Sequence, residues 1–284
     1  SVDLRYMLPY QKTLPLLITL FVFIVSNNVS ASESPKFIGS FQQGGLVLGQ
    51  LAKGETVSYK GKLLKLNDNR QFLLGFGRNQ PATAEITIHQ QSGDKNIVLN
   101  IAPRDYAIQK IEGVPQKTVT PSETDIQRIK QDISIVKKAR SLISDQDDFT
   151  SGFKQPANGP ITGVYGSQRF YNGVPKSPHY GIDYAAPTGT PVIAPAAGLI
   201  TMVHDDMFYS GGTLILDHGH GLSSTFLHLS EILVEEGQRV ASGSVIAKIG
   251  ASGRATGPHL DWRMNWLGQR IDPQLVLDTL PASK

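Results

Sequence analysis

Cysteine is absent from the 284 residues. That excludes disulfides, cysteine nucleophiles and thiolate metal sites, so any metal must be held by His, Asp or Glu. A strong excess of one charge is also missing: 27 basic residues stand against 24 acidic ones, a net +3. Such balance argues against nucleic acid as a partner. With 40% hydrophobic and 18% charged residues the composition is that of a globular chain, not a disordered one. No internal repeat or low-complexity tract stands out. The apolar run Leu14–Val25 has twelve residues, interrupted by Pro15 and Thr19, and falls short of the ~20 that a membrane-spanning helix needs.

Arg5 and Lys12 precede that run, and Val29-Ser30-Ala31 follows it. A basic start, a short apolar stretch and small residues form the pattern of a secretory signal over residues 1–31. The expected mature chain is Ser32–Lys284, exported and, with no Cys at the cleavage site, not lipidated. The expected location is the periplasm.

The rest reads as mainly β. Residues 32–115 hold short strand-like runs such as Thr56-Val57-Ser58-Tyr59 and Ala84-Glu85-Ile86-Thr87-Ile88, separated by turn residues, which predicts an N-terminal β-sandwich. Residues 116–158 read as a linker with a helix over 123–144, where Ile126, Ile129, Ile133, Val136, Ala139 and Ile143 recur at helical spacing. Ser122 with Asp125 suggests a capping box, and the apolar stripe predicts packing against one of the domains. Residues 159–284 form a second β-rich domain holding six of the seven histidines.

Two short patterns there suit a metal. His179 and Asp183 are four apart, a distance of about 13 Å in an extended strand, too far to share an ion. Gly181 between them is expected to permit the bend that brings both side chains together. His259 and Asp261 are two apart and share one face of a strand, which suits a ligand beside an acid/base group. His228 lies among apolar residues, where a lone His is more often a core residue. His218 and His220 read as turn residues, and His89 and His204 as surface or packing residues.

Three segments in order carry a resemblance: PHYGIDYAAPTGTPVIAP (178–195), GGTLILDHGHGLSSTFLHLS (211–230) and EEGQRVASGSVIAKIGASGRATGPHLDW (235–262). They resemble the lysostaphin-type (LytM-like) zinc endopeptidases of peptidoglycan, in the form of their exported Gram-negative members. The resemblance implies an antiparallel β-sheet domain with a groove over a zinc ion. It matches His179 and Asp183 to metal ligands, His228 to a catalytic histidine that stabilises an oxyanion, and His259 to the general base. Its third ligand is usually the second His of a His-x-His pair, and Asp261 stands there instead. A carboxylate is a competent zinc ligand. Two Asp and one His cancel the ion's charge, which predicts a weaker Lewis acid and tolerance for manganese. Asp261 serving instead as an outer-shell partner of a histidine is the other reading.

The substrate implied is a peptide cross-link of peptidoglycan, D-Ala to meso-diaminopimelate in Gram-negative relatives. The alternative within the same fold is a non-catalytic protein that binds the cell wall or activates an amidase. The N-terminal sandwich has two readings, a cover that inhibits the groove or a docking module for a regulatory partner. Val234–Val240 with Gly243–Ile246 also looks like the hairpins of lipoyl carrier domains, but Lys248, the candidate acceptor, lies inside an apolar run.

Overall fold

The computed structural model describes residues 34–283. The expected export signal over 1–31 lies outside these residues. Among the described residues no helix is long and apolar enough to cross a membrane.

The N-terminal strands form two small sheets. Lys36–Gly39, Leu46–Gln50 and Gln71–Gly75 make one, and Lys62–Leu63, Thr56–Tyr59, Thr83–Gln90 and Gly93–Asn100 the other. Alternation along Thr83–Gln90 buries Ala84, Ile86 and Ile88 and turns Thr83 and Glu85 outward, as a strand with one face on a core requires. That core does not end with the N-terminal sheets. Leu46, Phe72 and Ile86 belong to the same hydrophobic cluster as Trp262, Trp266 and Ile271. A Cβ at Gly75 would lie 2.4 Å from the Ile271 side chain, so glycine is what lets the two regions meet. Asp272 joins them again: its N–H donates to the Gly44 carbonyl at 2.8 Å and its carboxylate accepts from Arg104 at 2.9 Å.

Helix Glu123–Ala139 begins with the capping box of Ser122 and Asp125. It stops five residues before the Ser144 expected from the apolar spacing. Tertiary bonds explain the earlier stop: Ser144 Oγ donates to Asp217 at 2.7 Å, and its carbonyl accepts from the His220 N–H. Both bonds draw the chain away from the helix axis. Val136 and Ala139 pack on Met202, Met207 and Ile215.

The main sheet is built around five neighbouring strands, Gly198–Met207, Gly211–Gly219, Leu222–Ile232, His259–Trp266 and Gly181–Ala185, all antiparallel. Lys248 lies inside strand Val245–Ile249 and pairs with Glu231 at 2.6 Å, not at an exposed hairpin tip. Strand His259–Trp266 turns Leu260, Trp262, Met264 and Trp266 into the core. Period-two geometry then puts His259, Asp261, Arg263 and Asn265 on the opposite face. Its register sets Asp261 across from Asp183 on one side and Leu227 on the other.

Candidate metal centre

His179 lies just before strand Gly181–Ala185, held by its N–H to the Ser167 carbonyl at 2.9 Å. Being outside the strand, it turns back over Asp183 without any left-handed residue at Gly181. The glycine serves space instead of bending. A Cβ at Gly181 would lie 2.3 Å from Asp261 Oδ1, and one at Gly163 only 2.1 Å from Asp183 Oδ2. Two glycines thus leave room for two buried carboxylates.

His179 Nε2 is 3.0 Å from Asp183 Oδ1 and 3.4 Å from Asp261 Oδ2. These three residues are buried, their ligand atoms lie within 4.8 Å of one another, and together they can hold a metal ion. His179 Nε2 and Asp183 Oδ1 are moreover buried with no hydrogen-bond partner. Orphaned buried polar atoms are costly, and a cation between them removes the cost. His179 Nδ1 donates to the Val164 carbonyl at 3.1 Å, which leaves the Nε2 lone pair facing the carboxylates. Burial pushes the His179 imidazolium down, while Asp261 and Asp183 push it up more strongly, and the net direction is up. A proton and a divalent ion therefore compete for the same nitrogen.

His228 and His259 stand beside this cluster with their rings 4.8 Å apart. His259 Nε2 is 4.0 Å from Asp183 Oδ1, and its Nδ1 contacts the Gly257 carbonyl at 2.9 Å. His228 Nδ1 contacts the Ser252 carbonyl at 2.8 Å. The pairing of Gly212 with Leu229 and Leu214 with Phe226 leaves Leu227 and His228 opposite Thr213 alone. His228 is the second residue of that bulge and has φ +63°, in the left-handed region. A bulge re-aims a side chain, and here it turns a histidine in an apolar run toward the groove. Burial lowers its pKa to about 4, so it is neutral at neutral pH. His89, His204, His218 and His220 are not part of the metal-capable cluster. His218 is a buried core histidine that bonds the Ala197 carbonyl and Ser224 Oγ.

Sequence reasoning missed the arginines. Arg263 donates three hydrogen bonds to Asp261, the shortest at 2.7 Å, and Arg169 donates to Asp183 Oδ2 at 2.9 Å. Burial pushes the Asp261 carboxyl up, but Arg263 and His179 outweigh it and hold the group well below the usual carboxylate range. The two guanidinium charges also change the charge count around a bound ion. The two carboxylates would cancel a divalent ion, but Arg169 and Arg263 restore a net positive surrounding. Only Arg263 had a sequence signal, since it stands two residues beyond Asp261 on the same strand face. Arg254, between the rings of Tyr171 at 4.5 Å and Tyr209 at 4.3 Å, lines the same groove.

Two carboxylates and three imidazoles gathered in the groove of an antiparallel sheet are a donor and acid/base set suited to metal-assisted hydrolysis. Residues 177–273, about a third of the chain, match the model of Peptidase family M23. The peptidoglycan DD-endopeptidase ShyA of Vibrio cholerae is 38% identical over 96 residues, 34% of this chain and 22% of that protein. ShyB of the same organism, also a peptidoglycan DD-endopeptidase, is 37% identical over 136 residues, 48% of this chain and 29% of that protein. The chain therefore spans less than a third of the length of these curated relatives. A crystal structure of a candidate M23 peptidase from Pseudomonas aeruginosa is 27% identical with a TM-score of 0.67, covering 86% of this chain and 97% of that one. The shared fold thus reaches well beyond residues 177–273.

Proposed function

We propose that this chain is a zinc-dependent endopeptidase that hydrolyses peptide cross-links of peptidoglycan in the periplasm, at the bond between D-Ala and meso-diaminopimelate. The observation that carries the reading is the convergence of the partnerless His179 Nε2 and Asp183 Oδ1 with Asp261, beside His228 and His259. The names of the similar Vibrio proteins support the substrate class and a Gram-negative envelope setting.

His179, Asp183 and Asp261 would hold the ion. When bound, zinc supplies a Lewis acid that polarises the scissile carbonyl and lowers the pKa of water. His259, oriented through Nδ1 by the Gly257 carbonyl, takes the proton of the attacking water at Nε2. His228, oriented by Ser252, stands beside His259 in the place where it would stabilise the developing oxyanion. The proton that His259 takes from the water passes from its Nε2 to the leaving amine, so no further proton source is needed. The N-terminal residues Tyr59, Leu63 and Leu73 line one side of the groove, which supports a role for that region in limiting access.

One observation favours a second reading. Each carboxylate already has an arginine, so the cluster is charge-balanced without an ion, as suits a non-catalytic protein that binds the wall or activates an amidase. Incubating the full chain with sacculi and zinc, with a His179→Ala control, separates the two. Conversion of cross-linked dimers to monomers by mass spectrometry, lost in the control, is the expected result. Intact dimers with wild type under zinc would refute the endopeptidase reading.

A further inference from the structure

The groove carries positive charge that the proposed hydrolysis does not use. Its cavity of about 1250 Å³ is lined by nine lysine and arginine side chains against two aspartates. Arg169 and Arg263 are occupied with Asp183 and Asp261. Arg140 and Arg270 are different: among the described residues neither forms an ion pair, although both line the cavity.

Their positions follow from the strand register. Thr225 lies across from Arg263, and Asn265 lies across from Arg270. Arg140, reaching in from the end of helix Glu123–Ala139, donates through Nη2 to Thr225 Oγ1 at 2.7 Å. Its Nε is buried with no hydrogen-bond partner, and so is Asn265 Oδ1. Arg263 and Asn265 are two and four residues beyond Asp261 on one strand face, which puts this patch about 7 to 13 Å from the metal-capable cluster. Burial and then the charges of neighbouring arginines push both guanidinium groups down, Arg270 to about 10. The C-terminal end of the helix contributes only about half a negative charge beside Arg140. A second anion is what this arrangement lacks.

We propose that Arg140 and Arg270 form a subsite for a free carboxylate of the substrate peptide, about two to four residues along the chain from the bond that is cut. The chemistry favours a carboxylate because a guanidinium presents paired N–H donors that match its two oxygens. The subsite deepens the endopeptidase reading and rests on it for the identity of the peptide. It makes the enzyme selective for peptides with unmodified acid groups over amidated ones.

The probe is a disaccharide tetrapeptide from muramidase-digested sacculi, with its carboxylates either free or converted to amides. Calorimetric titration of each form into the full chain gives the ratio of the two affinities. Wild type is expected to bind the free acid about tenfold or more tightly than the amide, the scale of one charge-assisted hydrogen-bonded pair. Arg140→Gln and Arg270→Gln are expected to bring the ratio within about twofold, and Arg140→Lys to retain part of it. Thermal melts show that each variant is folded. A ratio near one in wild type, or a full ratio in both folded glutamine variants, overturns the subsite. Sacculus digestion by the same wild-type preparation separates the two ideas. Cleavage without acid preference removes the subsite alone, and acid preference without cleavage upholds the subsite while removing the endopeptidase.

Discussion

Asp261→Asn keeps the side-chain shape and removes one charge. Asp261 is 1% exposed and Arg263 is 22% exposed, and three hydrogen bonds join them. The substitution leaves Arg263 charged and largely buried without its carboxylate. Removing one member of a buried pair costs about 3–5 kcal/mol, and the partial exposure of Arg263 points to the lower end, about 3 kcal/mol. For a chain of this size that corresponds to a Tm lower by about 6–12 °C. Thermal unfolding should be followed in a chelator, so that metal binding does not contribute. Arg263→Gln should also destabilise, and the double variant should be less destabilised than the two single losses added together, by about 2 kcal/mol. The pH window is set by the carboxyl: Arg263 and His179 hold the folded pKa below the usual 3.8, so the pair's stabilisation is fully present above that value. It is lost only as pH falls through the folded pKa, so the Tm difference should persist from pH 5 to 8. A Tm for Asp261→Asn within about 2 °C of wild type, or strictly additive single losses, would refute the argument.

Gly181→Ala tests the space argument separately from charge. Gly181 is not in the left-handed region, so the added methyl acts by crowding Asp261, the Trp262 carbonyl and the Arg263 side chain, at a cost of about 1–3 kcal/mol. Zinc affinity measured by chelator competition should fall as Asp261 is displaced, and an unchanged affinity would show that Asp261 is not a ligand. His218 provides a pH test away from the metal-capable cluster. Burial lowers its folded pKa to about 4 from 6.5, so its contribution is complete above pH 6.5 and is lost as pH falls toward 4. His218→Gln should shrink the difference in denaturant stability between pH 7 and pH 5 by about 2 kcal/mol. An unchanged difference would assign the acid sensitivity elsewhere.

Local pattern was enough to mark much of this protein. The absence of cysteine restricted the metal donors to His, Asp and Glu, and the capping box at Ser122 announced a helix from its first turn. The two-residue period of a strand put Asp261 beside His259 on one face, as the structure has it. These properties depend on neighbours within a few residues, and such neighbours are written in the chain itself. The helix end was not legible in the same way, because the bonds from Ser144 reach Asp217 and His220, more than seventy residues away.

Only the tertiary structure decided what surrounds the carboxylates. Read alone, His228 is one histidine in an apolar run, and a bulge against Gly212–Leu214 is what turns it into the groove. Gly181 reads as a hinge, but the packed Asp261 makes it a spacer. Arg169 meets Asp183 across fourteen residues, and Arg140 comes to Thr225 across eighty-five. Each of these contacts depends on which strands pair and in what register, and no local period encodes that. The sequence by itself thus determined which side chains were available to bind metal and move protons. The fold decided the charge around them, because electrostatic strength depends on distance and burial rather than on order along the chain.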